Sequence, residues 1–496
     1  MSFITNYDIY ISVLELYLLF SLCILLIFGV VYNSNKKYGH PLTISVINFL
    51  VIYVSLFSIL IQYNNVYIIM NCWNNMLISN FFVHELKNII IIVFLGWLVL
   101  CLFYLKEEFV TSFEYNILTI LGLIGTLYIL QANDLLSLYL SIELQSLVFY
   151  ILVSFKRTSE FATEAGLKYF ILGSFSSSLL LLGNSFMYTI TGTTNLENYT
   201  KLLTGFSDHN LLFSTAVITS LIFIVVGLLF KLGSAPFHLW LPDVYEGAPT
   251  ITTIFLIVIP KISLIVLLFK IFIINFQEYY FLLQKIILYS SISSLLVGSF
   301  GALRQSKWKR FVAYSSITHV GFILLGYLSN NNFSLFCILL YTLIYIFTTL
   351  SLFIFILSFR KKIFLKNSQS RYLKDITGFS ILNPILSLIL VIMFFSMAGI
   401  PPFSGFFTKT FIIFNILQNE VYGAAILAIL FSCITSFYYI RIIKTIYFVK
   451  PKRLPFLTQM EKYSSFFISI VSFILSLMFL ELNGLSLYLQ ELLVNI

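Results

Sequence analysis

The stretch FKLGSAPFH, residues 230–238, interrupts a long apolar segment with a lysine, a glycine and a proline. A second stretch, MAGIPPFSG at residues 397–405, interrupts another apolar segment and is followed closely by Lys409. Proline inside a helix removes a backbone hydrogen bond and frees backbone groups that need polar or protein-lined surroundings. We therefore predict two broken helices, each with a lysine within about two turns of its break, as at the ion sites of transporters.

The apolar content of the chain indicates an integral membrane protein. Of its 496 residues, 59% are hydrophobic and only 10% are charged, which is too apolar for a water-soluble domain. The apolar runs are about 20 residues long, enough to cross a hydrocarbon layer of roughly 30 Å as helices, and they lack the period of two of barrel strands. We predict an all-α polytopic membrane protein with about 14 transmembrane helices.

The two breaks indicate how these helices are organised. They fall in the seventh and twelfth predicted spans, so we predict two inverted five-helix repeats, as in many secondary transporters. The predicted segments are residues 1–110 for helices 1 to 3, 111–278 for the first repeat, 279–450 for the second repeat, and 451–496 for helix 14 and a tail.

The net charge of +9 reflects membrane topology in this interpretation, and we expect no nucleic-acid partner. Most of the 29 lysines and arginines fall in loops after odd-numbered spans, including the basic segment 360–374. By the positive-inside rule these loops face inward and both termini face outward. The first residues, MSFITNYDIYISVLELYLLF, contain no Arg-rich presequence and no cleavage site, so we expect the first helix to be retained.

The sequence has no pattern typical of a redox cofactor or a metal site. The five cysteines show no CxxC spacing, and neither a GxGxxG nor a P-loop pattern opens a helix. We therefore expect no cofactor and no metal in this chain, and any redox chemistry in other chains.

Ionisable residues inside the apolar segments mark the candidate site, because a charge at the bilayer centre costs about 2.5 to 3.5 kcal/mol or more. Lys231 and Lys261 lie symmetrically about the turn at Glu246. Glu143 and Lys168 flank a basic turn in the same way, each about 18 Å from it at helical rise. Antiparallel helices joined at such turns carry both charges at similar depth. The residues that we predict to carry protons are Glu143, Lys168, Lys231, Lys261 and Lys409.

Some of these positions also fit a simpler structural role. Lys168 follows Glu164 by one helical turn, the spacing of an ordinary i,i+4 ion pair. His238 and His319 are candidate proton relays through their near-neutral pKa. A lone histidine among aromatic residues is as often a packing residue, so both interpretations of the two histidines stay open.

Four further charged residues are expected outside the proton path. Asp243 and Glu246 follow the first break, where turn formation and capping explain them. Glu15 lies near the start of the first span and is expected to face the outer interface. Lys270 lies near the outer end of its span, where a lysine more often anchors the helix by snorkelling.

Five stretches of the chain resemble the antiporter-like membrane subunits of respiratory complex I. They are SIELQSLVFYIL (141–152), EAGLKYFILGSFSSSLLLLG (164–183), FKLGSAPFHLWLPDVYEGAPT (230–250), PKISLI (260–265) and GIPPFSGFFTK (399–409). The resemblance extends from about residue 110 to about residue 450. It implies a place in a proton-pumping membrane arm, with inverted repeats and no redox cofactor in this chain.

The resemblance also implies individual roles. Glu143 corresponds to the family's essential carboxylate on the fifth helix, and Lys168, Lys231 and Lys261 correspond to its lysines on helices six, seven and eight. Lys409 corresponds to the lysine on broken helix twelve. Changes in the distance between Glu143 and its lysines would load and release protons, driven by quinone reduction elsewhere.

The expected partners are other complex I subunits, especially neighbouring antiporter-like and small membrane-arm subunits, together with membrane lipids. NADH, FMN, iron-sulfur clusters and ubiquinone are expected in those partner subunits. The expected location is the mitochondrial inner membrane with both termini on the intermembrane-space side; a bacterial inner membrane or a plastid thylakoid is the alternative. Two other functions stay open: a subunit of a multisubunit cation/proton antiporter, or a purely structural membrane-arm subunit.

Overall fold

The computed structural model describes residues 8–34, 40–65, 70–107, 112–206, 211–363, 366–450, 462–478 and 482–494. These residues are mostly helical, which confirms the all-α prediction. Both chain termini, for which the charge pattern predicts an outward location, lie outside the described residues. Residues 364–365 of the predicted basic segment and 451–461 at the start of the predicted C-terminal segment also lie outside them.

The helices follow one another along the whole chain. They are α1 (Val13–Ser34), α2 (His40–Asn64), α3 (Phe81–Glu107), α4 (Glu114–Gln131), α5 (Leu135–Val153), α6 (Glu160–Thr191), α7 (Leu196–Phe206), α8 (Leu211–Leu232), α9 (Trp240–Gly247), α10 (Thr250–Phe269), α11 (Tyr280–Arg304), α12 (Trp308–Gly326), α13 (Asn332–Ser358), α14 (Phe379–Leu382), α15 (Pro384–Ala398), α16 (Ser404–Gln418), α17 (Tyr422–Tyr447), α18 (Lys462–Leu477) and α19 (Leu482–Val494).

Short elements complete the fold. A π-helical turn (Lys270–Asn275) continues α10, and 3-10 turns cover Gln277–Tyr279 and Leu373–Ile376. Two antiparallel hairpins pair β1 (Met70–Cys72) with β2 (Leu77–Ser79) and β3 (Arg360–Ile363) with β4 (Lys366–Gln369).

Among the described residues, 11 helices are long and apolar enough to cross a membrane. The two interrupted spans each coincide with a pair of helices, α8 with α9 and α15 with α16. The count of about 14 membrane spans stays a prediction, because α15, α16 and other helices are too short to meet the length criterion alone.

Both predicted breaks are present. α8 ends at Leu232 and α9 begins at Trp240, while α15 ends at Ala398 and α16 begins at Ser404. The glycine that follows each first half-helix, Gly233 or Gly399, has a positive φ of 74° or 79°. Glycine adopts this conformation without the steric cost of a side chain. The pattern Gly-x-x-Pro-Phe occurs at both breaks, at residues 233–237 and 399–403.

The chain folds as two compact units. The first contains the described residues of 1–232 and 247–283, and the second contains 233–246 and those of 284–493, so most of α9 belongs to the second. In the first unit α6 packs along α8, α4 packs against α5, and every residue of α10 is buried. In the second unit α13 packs on α16 and α15 on α17. The predicted repeat boundaries at 278 and 450 stay predictions.

Candidate functional site

A polar line runs along one face of α5. Asp134 caps the first turn of this helix by accepting a hydrogen bond from the Leu136 amide. The spacing of three and four residues then places Glu143, Ser146 and Tyr150 on one face. Ser146 Oγ lies 3.4 Å from Glu143 Oε2 and 3.1 Å from the Glu143 carbonyl oxygen, and Tyr150 follows one helical turn later. The hydroxyl groups of Ser146 and Tyr150 therefore follow the Glu143 carboxylate over about two turns of α5.

Lys231, in the last turn of α8, contacts Tyr150 at the C-terminal end of this polar face. Its Nζ donates a hydrogen bond to Tyr150 Oη at 3.3 Å and lies 5.7 Å from the centre of the Tyr150 ring. Glu143 attracts Lys231 electrostatically. Within the described part of the chain, however, no ion pair of 4 Å or less joins the two. Lys231 thus contacts Tyr150, on the face of α5 that also carries Glu143, and a proton-carrying role for the two charged residues stays a prediction.

Lys261 and Lys168 differ sharply in their surroundings. Lys261 is 4% exposed and lies on α10 among residues that are all buried. Lys168 Nζ lies 2.8 Å from Glu164 Oε1 in an i,i+4 pair whose side chains are 45% and 62% exposed on the surface of this chain. The structure therefore shows the simpler arrangement considered for Lys168, and a role for it in proton transfer stays a prediction.

The Lys409 amine is bound by backbone groups at the second helix break. Its Nζ donates to the carbonyl oxygens of Met397 at 3.1 Å and Ala398 at 2.7 Å, which belong to the last turn of α15. The final carbonyls of a helix lack intrahelical partners and carry partial negative charge. Thr435 Oγ1 lies 3.4 Å from the same amine. The break therefore supplies the acceptors that hold a 5% exposed lysine inside the protein.

Gly399 is required for this arrangement. A Cβ at this position would lie 2.7 Å from Lys409 Cδ, in addition to the strain of its positive φ. The glycine that ends α15 thus leaves room for the lysine stem.

His319 lies beside Lys409 in the second unit. Its two ring nitrogens contact the Tyr341 hydroxyl at 2.8 Å and the Tyr439 hydroxyl at 3.1 Å. His319, Tyr341, Thr408 and Lys409 all line one cavity with about 10 Å³ of space for water, close to what a single molecule needs. The predicted relay residue and the predicted lysine therefore share a small cavity.

His238 lies in the first break, between α8 and α9, and is half-buried. Its carbonyl oxygen accepts a hydrogen bond from the Leu241 amide at 2.9 Å, which starts α9. This backbone contact shows how the segment turns into the helix, and a relay role for the His238 ring stays a prediction.

The comparison with protein families identifies the group to which these features belong. A family model described as "NADH:quinone oxidoreductase/Mrp antiporter, TM" matches residues 132–435, which include α5, both breaks and all five predicted proton carriers. The chain belongs to this family.

Relatives of known name agree over nearly the whole chain. NADH-ubiquinone oxidoreductase chain 2 of Marchantia polymorpha is 38% identical over 471 residues, covering 94% of each chain. The protein of the same name in Arabidopsis thaliana is 35% identical over 94% of this chain and 92% of its own. NADH-quinone oxidoreductase subunit N of Paramagnetospirillum magneticum is 37% identical over 77% of this chain and 78% of its own. The chain is an antiporter-like membrane subunit of the complex I type.

Solved structures share the fold. A chain of respiratory complex I from Thermus thermophilus superposes with a TM-score of 0.76 at 21% identity, covering 95% of this chain and 98% of that one. A chain of the Mrp complex from Dietzia sp. DQ12-45-1b gives a TM-score of 0.78 at 18% identity, covering 97% and 99%. At these identities the likeness concerns the fold alone.

The structure corrects two expectations about charged residues. Glu15 does not face the outer interface: it is fully buried, and its Oε1 lies 2.6 Å from Nζ of Lys87, which is 5% exposed. Lys270, expected as a snorkelling anchor, is half-buried and donates to the Leu130 carbonyl oxygen. The sequence held one signal for the Glu15 contact: Glu15 lies near the start of one apolar segment, and the oppositely charged Lys87 lies near the start of another.

Asp243 and Glu246 do more than form a turn. Arg310 donates to Asp243 at 2.9 Å, and both Arg310 and Lys307 form ion pairs with Glu246. These contacts fix α9 to the beginning of α12 within the second unit. Across the described residues, no group of three or more His, Cys, Asp or Glu side chains is placed to hold a metal ion.

Proposed function

We propose that this chain translocates protons as a membrane-arm subunit of respiratory complex I, driven by NADH:quinone electron transfer in partner subunits. The observation that carries the proposal is the way the lysines beside the two helix breaks are held, Lys231 half-buried and Lys409 buried. Lys231 Nζ donates a hydrogen bond to the Tyr150 hydroxyl, and Lys409 Nζ donates hydrogen bonds to carbonyl oxygens at the end of a broken helix. Amines with polar partners and, among the described residues, no ion pair with a carboxylate suit reversible proton binding better than permanent neutralisation.

The proposed sequence of events follows the family resemblance. Electron transfer perturbs the group of Glu143, Lys168 and Lys231, the proton passes through Lys261 and water toward Lys409, and it leaves on the outer side. The cavity shared by Lys409 and His319 supports a relay at His319.

The partners follow from the same proposal. They are the other subunits of complex I, in particular neighbouring antiporter-like and small membrane-arm subunits, with lipids around them. NADH, FMN, iron-sulfur clusters and ubiquinone bind in those partners and no redox cofactor binds here. Plant and bacterial relatives support an inner membrane, and we propose the mitochondrial one with the termini on the intermembrane-space side.

The test is Lys231→Met in the assembled complex, with proton uptake and NADH oxidation followed together in sealed membrane vesicles. We expect the ratio of protons to electrons to fall sharply while the amount of assembled complex stays at the wild-type level. Lys285→Met, at an exposed position on α11, is the matched control and is expected to pump normally. An unchanged ratio in Lys231→Met contradicts the proposal.

A cation/proton antiporter is the second candidate, because the family model includes Mrp antiporters and the Dietzia Mrp chain has the same fold. Sodium-dependent proton flux in vesicles without NADH or quinone would favour it. A purely structural role predicts instead that Glu143→Gln lowers the amount of assembled complex before it affects transport.

A further inference from the structure

The Tyr150 side chain is held in one position by its neighbours on α6. It is 6% exposed, and its ring packs edge-to-face against Tyr169 at 4.8 Å and Phe170 at 5.7 Å between ring centres. Such arrangements restrict the ring beyond simple burial. The phenol therefore presents its hydroxyl at a fixed point.

Gly173 on α6 leaves the space that this hydroxyl occupies. A Cβ at residue 173 would lie 2.2 Å from Tyr150 Oη and 2.7 Å from the ring carbon Cε1. Any side chain there would displace the hydroxyl from its position beside Lys231. The Tyr150 hydroxyl is thus placed by a notch in the facing helix as well as by ring packing.

The hydroxyl connects two groups that do not touch. On one side it accepts a hydrogen bond from Lys231 Nζ at 3.3 Å. One helical turn earlier on the same face of α5 is Ser146, whose Oγ lies 3.4 Å from Glu143 Oε2. Lys231, Tyr150, Ser146 and Glu143 therefore follow one another as a series of polar groups within the first unit, with Ser146 and Tyr150 at i,i+4 spacing on α5.

We propose that Tyr150 and Ser146 relay protons between Lys231 and Glu143, an inference that rests on the proposed function. The Lys231 ammonium gives a proton to Tyr150 Oη as the phenol proton moves to Ser146 Oγ and the serine proton moves to the Glu143 carboxylate. Each hydroxyl gains one proton and loses one, so both stay neutral. The step converts an ammonium and a carboxylate into an amine and a carboxylic acid, and it reverses by the same route.

Neutral relay groups suit this environment because an additional charge in the membrane interior is costly. A direct ion pair would hold the proton on the lysine, whereas two intervening hydroxyls let it exchange without movement of either helix. Through this relay, Glu143 and Lys231 exchange a proton without direct contact.

The test is Tyr150→Phe, which removes the hydroxyl and keeps the ring. In vesicles that contain the assembled complex, we expect the rate of proton uptake to fall about tenfold, the effect of losing one hydrogen bond to a charged group that gives up the proton. Tyr139→Phe is the matched control, because Tyr139 is on the same helix one turn before Glu143. Among the described residues it has no hydrogen bond to a lysine, and we expect normal uptake.

A solvent isotope measurement separates a relay from a structural role. Concerted transfer of several hydroxyl protons makes wild-type pumping sensitive to deuterium oxide, and we expect this sensitivity to fall in Tyr150→Phe. Ser146→Ala removes the middle hydroxyl with a minimal change in volume and is expected to slow uptake similarly. If Tyr150→Phe does not assemble, the proton uptake of Ser146→Ala tests the relay instead.

The outcomes distinguish the relay from the proposed function. If Lys231→Met stops pumping but both hydroxyl variants pump at the wild-type rate, the relay is overturned and the proposed function stands. If Lys231→Met itself pumps normally, both are overturned. Slow pumping in the hydroxyl variants with a reduced isotope effect supports the relay.

Discussion

Two glutamate–lysine pairs in the first unit use the same chemistry in opposite ways. Glu15 and Lys87 touch at 2.6 Å and are almost fully buried. Glu143 and Lys231 are separated, and the Tyr150 hydroxyl binds the lysine instead. A carboxylate in direct contact stabilises the charged amine and discourages proton loss. The contact pair is therefore suited to joining α1 to α3, and the separated pair is suited to exchanging a proton.

The largest expected effect comes from breaking the contact pair with Lys87→Met. This change leaves the Glu15 carboxylate buried, and apart from Lys87 no described residue is a hydrogen-bond partner of either of its oxygens. An uncompensated buried charge of this kind costs about 3–5 kcal/mol. We expect less assembled complex and heat-induced dissociation at a lower temperature on native gels.

Lys231→Met is the matched comparison for that measurement. Glu143 is half-buried and keeps its Ser146 hydrogen bond, so we expect a loss of stability below about 1 kcal/mol. Equal losses of stability in the two variants would show that both pairs serve the fold and would remove the distinction between them.

A smaller effect is expected when the contact pair is removed as a whole. Adding Glu15→Met to Lys87→Met eliminates the unpaired carboxylate, and replacing both members of a buried ion pair with apolar groups of similar volume is often neutral. We expect the double variant to recover most of the lost dissociation temperature and to pump normally. No recovery would show that Glu15 has a function apart from its pairing with Lys87.

The sequence predicted those parts of the site that depend on position along the chain. Proline and glycine mark both breaks, because the loss of a backbone hydrogen bond at proline is a local effect. The similar depth of Lys231 and Lys261, which follows from helical rise, stays a prediction. The carbonyl partners of Lys409 also follow from the break in retrospect, since a broken helix exposes its last carbonyls.

The partners contributed by distant helices were not predictable in this way. Glu15 and Lys87 lie on helices whose rotation about their axes is set by packing, so spacing could not show that they meet. The same holds for Tyr150, whose position depends on a notch at Gly173 in another helix. Lys168 shows the converse case, because its local i,i+4 partner was visible in the sequence and is the one observed.

Lys409 represents a third way to hold a buried lysine, and it gives the smallest expected effect. Its amine has two carbonyl acceptors, at 2.7 and 3.1 Å, and a weaker contact with Thr435 at 3.4 Å. If backbone carbonyls replace the carboxylate here, Thr435→Val should slow pumping by no more than about threefold, because the weakest of three hydrogen bonds contributes about 0.5 kcal/mol. Thr445→Val is the control, since Thr445 lies on the same helix and also donates to the carbonyl three residues before it.

A loss of pumping in Thr435→Val as complete as that expected for Lys231→Met would mean that the carbonyls alone do not hold the amine. A side-chain partner would then be as necessary at the second break as Tyr150 is beside the first.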